Sequence, residues 1–317
     1  MSQQKEQNKK PFIMMDSGAF SAWNKKASID IEEYTKFCLK YLDNIDFVVN
    51  LDVIPAEFGR KPTKEEAEIS AKKGWHNYQF MLSAGIPKEK LLHVFHQGED
   101  FKWLKRMLQI PYIGLSPAND RTTEQKITWL DSCMPYVTDA KGMPLNKWHG
   151  FAVTSLRLML RYSWYSVDST SWQATGRMGG VIVPKWQSNK FQYLVNPWKV
   201  SVSNRSPNQK EAGQHLTTFS PFEQKIIQQY LDRKGFKVGR SEFRTESDKY
   251  KLIDGERWNG KAANGKREVE TVIEAGLCND YKQRDELNII YYLDLEKAIP
   301  PWPQPFKTKR SRAGFEL

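Results

Sequence analysis

Short apolar runs alternate with amphipathic stretches through the first half of the chain, and most runs end on a polar residue at a turn. Residues 12–15, 47–51, 91–95, 112–115, 151–153 and 165–167 have the hydrophobic character of buried strands, several of the near-continuous parallel type. Helical patterns lie between them. Asp30-x-x-Glu33 and Thr63-x-x-Glu66 are capping-box signatures, Ile31, Tyr34, Cys38, Tyr41 and Leu42 follow helical spacing along one face, and Gly85-Ile-Pro87 closes the second helix. Strand followed by helix, repeated, implies right-handed crossovers and a parallel sheet. At 317 residues this predicts an α/β protein built on a (β/α)8 TIM barrel. Six strands are clear. Residues 181–183 and 199–203 are the candidates for the last two, or they pair with each other as a hairpin beside the pocket. An open doubly wound sheet is the alternative, but no G-x-G-x-x-G follows the first strand.

The pattern changes after about residue 204. Ser220-Pro221-x-Glu223 is a helix start that introduces Ile226, Ile227, Tyr230 and Leu231. A basic stretch follows over 233–251, then a second amphipathic helix is expected near 269–277 and an apolar run at 289–293. The expected organisation is a flexible basic N-terminus (1–10), a catalytic barrel (11–204), a mainly helical, basic, nucleic-acid-binding region (205–306) and a mobile basic tail (307–317). Charge supports a polyanionic partner: residues 184–317 carry 24 basic and 17 acidic side chains, a net of +7, against +4 for the longer front part. Cys38, Cys133 and Cys278 are too few and too far apart for a disulfide framework or a cysteine zinc site. With no signal-like apolar segment and no long apolar span, the expected location is the cytoplasm, and no membrane partner is expected.

Polar residues at the carboxyl ends of barrel strands face the active site, so Asp16, Asp52, Gln97, Ser116, Thr154 and Asp168 are expected to share one mouth. An aspartate just past a strand commonly caps a helix or makes a turn, but three at equivalent positions call for a chemical reason. His93 and His149 sit in apolar strand contexts and are expected to be hydrogen-bonded core residues, whereas His96 adjoins Gln97. Trp164, Tyr165 and Trp172 are aromatic neighbours of Asp168 that either fill the core or stack on a base.

These residues resemble the motifs of the tRNA-guanine transglycosylase family over residues 11–183. Asp16-Ser17-Gly-Ala-Phe20 is similar to that family's Asp-Ser-Gly-Gly-Phe, and Leu51-Asp52 to its base-reading aspartate. His96-Gln97-Gly98 resembles its Gln-Gln-Gly, Tyr112-Ile-Gly114-Leu115 its glycine turn over the base, and Gly150-Phe-Ala-Val-Thr154 its Met-Gly-Val-Gly strand. Asp168 precedes the arginine of Gly176-Arg177 by nine residues, as the family's nucleophile precedes its Gly-Arg pair. Two departures stand out. The family places two barrel strands before its Asp-Ser-Gly motif, so strands near 181 and 199 would close this barrel in permuted order. The family's cysteine-and-histidine zinc subdomain is absent, so no zinc is expected. Loss of that module and a different basic carboxyl region make the chain most similar to the phage and bacterial transglycosylases that insert 7-cyano-7-deazaguanine into DNA. For a phage protein the location would be the host cytoplasm.

The resemblance implies exchange of guanine for a 7-deazaguanine base through a covalent aspartyl-sugar intermediate, with the deazaguanine as co-substrate and no cofactor. Asp168 would be the nucleophile and Asp16 the proton shuttle. Asp52, Gln97, Gly98, Gly114, Leu115 and Ser17 would hold the base, and Gly176 and Arg177 the nucleic acid. DNA is the expected polymer and tRNA the alternative. A noncatalytic nucleic-acid-binding relative would have no need for three clustered aspartates, and a glycoside hydrolase accounts for neither Gln97-Gly98 nor the basic charge.

Overall fold

The computed structural model describes residues 12–56, 60–118, 120–153, 155–205 and 213–306. The N-terminal ten residues, Thr154 and the tail from 307, all assigned roles on sequence grounds, lie outside the described residues. Two compact units divide the chain: residues up to Asp168 with those from Pro301 onward, and Ser169–Pro300. The sequence pattern changes later, near 204.

The first unit opens with β1 (Met14–Met15), α1 (Ala19–Asn24), α2 (Ile31–Lys40), β2 (Phe47–Val49), α3 (Lys64–Ser83), β3 (Leu91–His96) and α4 (Phe101–Met107). It continues with β4 (Tyr112–Ser116), α5 (Thr123–Val137), β5 (Lys147–Gly150), α6 (Leu156–Arg161) and β6 (Ser166–Val167). The six strands pair in parallel in strict chain order, forming a curled sheet. Their helices start where local chemistry says they should. Asp30 accepts the N–H groups of Glu32 and Glu33 at 2.8 and 3.0 Å, and Thr63 with Glu66 and Thr122 with Gln125 form reciprocal caps. All six residues of β3 are buried, as a strand covered on both faces requires.

One face of the sheet carries Met14, Phe47, Val49, Leu92, Val94 and Tyr112, with Phe151 and Tyr165 packed against them. Alternation places Asp16, His96, Ser116 and Asp168 two residues beyond in-facing positions of their strands, at one edge of the sheet. His93 points to the opposite face. There it is buried, hydrogen-bonded to Asn50 at 2.9 Å and pulled down to about 3 by burial, as expected of a neutral core histidine. The chain returns to this unit at its end, where Phe306 stacks on Tyr162 with centroids 5.5 Å apart and donates its N–H to the Gly142 carbonyl at 2.8 Å.

The second unit begins with α7 (Ser171–Arg177) and β7 (Gly180–Val183). The short hairpin β8 (Lys185–Gln187) and β9 (Lys190–Gln192) follows, then β10 (Trp198–Ser201) and α8 (Pro221–Lys234). Last come β11 (Arg240–Ser247), β12 (Glu256–Ala263), β13 (Lys266–Glu274) and α9 (Tyr281–Ala298). The Ser220–Glu223 capping box forms as expected, and Gly235 at φ 77° ends α8. Val181, Val183, Val200 and Val202 pack with Ile227, Tyr230, Leu231 and Leu287 in a core of this unit's own.

Three expectations are corrected. β7 and β10 pair antiparallel with each other in a two-stranded sheet separate from the six-stranded one, which is the hairpin alternative, because their valines bury against α8 and α9. Residues 269–277 are not a helix. Val269, Thr271 and Ile273 are β-branched, and residues 266–274 form the central strand of a three-stranded antiparallel sheet ordered β11-β13-β12, so the region 205–306 is mixed rather than mainly helical. The strand expected at 151–153 lies at Lys147–Gly150 instead, and the chain turns at Phe151 and Ala152, the latter at φ 52°. Among the described residues no helix is long and apolar enough to cross a membrane. The three cysteines are buried and unpaired.

Candidate active site

Three aspartates converge where the strands of the first unit end. Asp16 follows β1 and is exposed; its carboxyl is nevertheless held above the ordinary carboxylate range by the protein around it and by the negative charges of Asp52 and Asp168. The N–H groups of Ser17 and Gly18 oppose that shift. Ser17 is buried and donates its hydroxyl to Asp52 Oδ1 at 3.2 Å. Asp168, just past β6, has a side chain 57% exposed. Its Oδ1 accepts the Ala152 N–H at 2.8 Å and lies 3.7 Å from His149 Nε2. The left-handed turn at Ala152 is what aims that N–H at the carboxylate.

His96 organises the second half of the site. Its Nε2 lies 2.8 Å from Asp52 Oδ2 and its Nδ1 3.1 Å from Glu99 Oε1. Burial by itself would lower the imidazole, but hydrogen bonds to Asp52 and Glu99, with their charges, push it up to about 10. Both ring nitrogens therefore donate. Burial raises the Glu99 carboxyl against the opposing pull of His96. With an imidazolium on one oxygen and a serine hydroxyl on the other, Asp52 is fixed in orientation while each of its oxygens keeps a lone pair.

Beside this cluster lies a cavity of about 860 Å³, open on one side. His96, Gln97 and Gly98 form one wall, Ser116 to Ala118 another, and Phe20, Trp23 and Trp129 give it aromatic surface. Arg60, Lys61 and Arg121 bring positive charge to it. Gln97 Oε1 accepts the Ala118 N–H at 3.0 Å, which leaves the amide Nε2 as the donor available to a ligand. Gly98 adopts φ 115°, a conformation that suits only glycine. The aspartates do not line this cavity. It meets them through His96, which is both a cavity wall and the partner of Asp52.

The structure thus brings Asp16, Ser17, Asp52, Gln97, Gly98 and Asp168 into one neighbourhood, and it places the remaining candidates elsewhere. Leu115 is fully buried in β4, and the Phe151 ring covers Gly114 so closely that an added Cβ would lie 2.5 Å from it. Gly176 and Arg177 belong to the second unit. There Gly176 is buried where α7 meets α9: its carbonyl accepts Arg284 Nε at 2.6 Å, and an added Cβ would lie 2.0 Å from Asp285 Oδ1. Gly176 is a packing position, while Arg177 beside it is exposed. Trp164 packs edge-on against Trp148 and Tyr162 and donates Nε1 to the Leu158 carbonyl at 2.9 Å, which is the core reading.

His96, Glu99, Ala152 and His149 are the contributors that sequence reasoning undervalued. Only His96 carried a signal, its position next to Gln97. His149 is a buried residue hydrogen-bonded to Ser166 at 2.5 Å, as expected, yet it also approaches Asp168. Among the described residues no group of three or more histidines, cysteines or carboxylates is arranged to hold a metal ion. No protein-family model matches the chain, and no curated protein matches it at a significant level of similarity.

Proposed function

We propose that the chain is a base-exchanging transglycosylase that replaces guanine in DNA with a 7-deazaguanine, working on a barrel-like scaffold whose catalytic part is the curled six-stranded parallel sheet. The observation that carries this reading is the convergence of three aspartates at one strand edge, with an exposed Asp168 and an Asp16 whose carboxyl is raised by burial and by the other two. Breaking an N-glycosidic bond builds positive charge at the anomeric carbon, and a carboxylate on the face opposite the base captures it. Asp168 attacks C1′ as the C1′–N9 bond breaks, and the departing guanine takes a proton from Asp16. In the return step the 7-deazaguanine gives its N9 proton to Asp16, N9 attacks C1′, and the bond to Asp168 breaks. Atoms and charge balance without a metal or redox partner, and the sugar keeps its configuration.

The strand-end cluster and the cavity beside it supply recognition in this reading. Asp52, held by His96 and Ser17, accepts from the parallel N1 and N2 hydrogens of a guanine-like ring, while Gln97 Nε2 donates to O6. Phe20 offers an aromatic face, and Gly98 keeps the approach open. A base in a duplex must leave the stack to reach such a pocket, at a cost of a few kcal/mol that basic surface can offset. Arg177 is assigned to the sugar-phosphate strand, and the setting is the cytoplasm, that of the host for a phage protein. The test is incubation with labelled guanine in DNA or in tRNA plus 7-cyano-7-deazaguanine, followed by mass analysis of nucleosides. Label release and deazaguanosine in DNA are expected. Exchange in tRNA alone reassigns the polymer, and exchange in neither rejects the activity.

A further inference from the structure

The second unit holds a cavity of its own, of about 510 Å³, lined by four arginines: Arg177 at the end of α7, Arg205 after β10, Arg257 on β12 and Arg284 on α9. Four separate segments therefore bring guanidinium groups to one concavity. Two are braced from below. Arg257 donates Nε and Nη2 to the two oxygens of Glu270 at 3.0 Å each, and Arg205 donates Nε to the same carboxylate at 2.6 Å. Glu270 is completely buried on the central strand β13, and the Ser241 hydroxyl also donates to it, at 2.7 Å. Arg284 is fixed by donating to the carbonyls of Gly176 and Leu277.

One buried carboxylate cannot neutralise two guanidiniums and their neighbours. The other carboxylates facing Arg177 and Arg284 are Asp280 and Asp285, and neither lines the cavity. Clustering like charges costs free energy unless an anion completes the set. Rigid forks arriving from several directions suit the oxygens of a phosphate better than a planar carboxylate. Tyr281, 47% exposed at the cavity wall, adds an aromatic surface beside the charge.

We propose that this arginine-lined cavity binds a backbone phosphodiester of a single nucleic-acid strand, making the second unit a strand-holding module. The proposal rests on the reading that the substrate is a nucleic acid, and it gives Arg177 three partners that the sequence did not reveal. A free phosphate or mononucleotide offers the same chemistry, so the experiment separates the sources.

The measurement is fluorescence anisotropy of a labelled single-stranded oligodeoxynucleotide against the full chain across a salt series, with Arg177→Gln, Arg205→Gln and the double variant. Both arginines are exposed and neither donates to the carbonyls that hold α7 and α9 together, and Glu270 keeps Arg257 and Ser241 when Arg205 is replaced, so the fold is retained, at a lower transition for Arg205→Gln, which cooperative thermal unfolding well above the assay temperature verifies. Each substitution is expected to weaken binding about tenfold and to reduce the log–log salt slope by about one. Inorganic phosphate and a nucleoside 5′-monophosphate are expected to compete only weakly. Unchanged affinity and slope in the double variant would overturn the proposal, as would tight phosphate or mononucleotide binding that the double variant loses while oligonucleotide binding persists. The two readings fail separately: a wild-type chain without base exchange but with arginine-dependent strand binding rejects the enzyme and keeps this site, and the converse rejects only the site.

Discussion

The unit that runs to Asp168 and resumes at Pro301 and the unit Ser169–Pro300 place charge by opposite rules. In the first, six parallel strands all end at the same edge, so the residues just past each strand collect there whatever their sign. Asp16, Asp52 and Asp168 meet in this way, and burial, with the negative charges of Asp52 and Asp168 added to it, holds the Asp16 carboxyl up. In the second, antiparallel neighbours run in opposite directions and pair opposite charges across the ladder. Arg257 sits directly opposite Glu270 and bonds to it, and Glu246 sits directly opposite Arg267. Parallel topology concentrates like charge and so shifts carboxylates; antiparallel topology cancels charge within the sheet and leaves cationic groups where the arginines outnumber their partners.

The sharpest way to break this contrast is Asp168→Asn. If the strand edge is catalytic, exchange and the trapped sugar adduct should fall by on the order of 10⁴-fold or more with the fold and the base affinity retained; an active variant reassigns the nucleophile. Next in size is Asp52→Ala, which leaves the buried His96 imidazolium without its closest counter-ion and should cost ~3 kcal/mol in denaturant titration. A loss no larger than that of a surface carboxylate would mean the cluster is not preorganised.

The same cluster has a pH signature. Its folded-state imidazole lies near 10, above the ordinary value of 6.5, so its contribution is complete below about 6.5 and is lost as pH rises through 10. Stability of the wild type should therefore decline over that window. His96→Gln should flatten the decline, and an identical profile in the variant would place the titration elsewhere.

Gly114→Ala follows, at ~2 kcal/mol, because a Cβ would press on the Phe151 ring and the Leu92 side chain inside the sheet. Thermal unfolding measures it, and a neutral substitution would show that Phe151 yields easily. The smallest pair sharpens the comparison itself. Thr122→Ala and Ser220→Ala each remove a reciprocal cap, one per unit, and each should cost ~1 kcal/mol. Hydrogen exchange should report each loss in its own unit, since each has its own core; a loss spread evenly over both would merge them into one cooperative body.

Much of the first unit was legible because its signals are local. The buried runs of β2, β3 and β4, the Thr63 cap and the polar residues past the strands follow from period and cap chemistry alone. The misreadings have equally physical causes. Alanine gives no warning of a left-handed turn, so the segment after Gly150 read as strand and the N–H that Ala152 offers Asp168 went unseen. Residues 269–277 carry apolar positions compatible with either period, and only pairing with β11 and β12 decides for a strand. Gly176 looked like part of a binding pair, but its small size serves the packing of α7 on α9.

By itself the sequence determined that this is an α/β chain with a parallel front half, that aspartates stand past its strands, and that its charge is basic towards the carboxyl end. These depend on residue type and on spacing within a few positions, which neighbouring residues largely set. Tertiary structure alone decided that His96 lies between Asp52 and Glu99, that β7 pairs with β10, and that four arginines distant in sequence open onto one cavity. Contacts of that kind are chosen by the burial and pairing of whole elements, and no local pattern encodes which side chain will meet which across dozens of intervening residues.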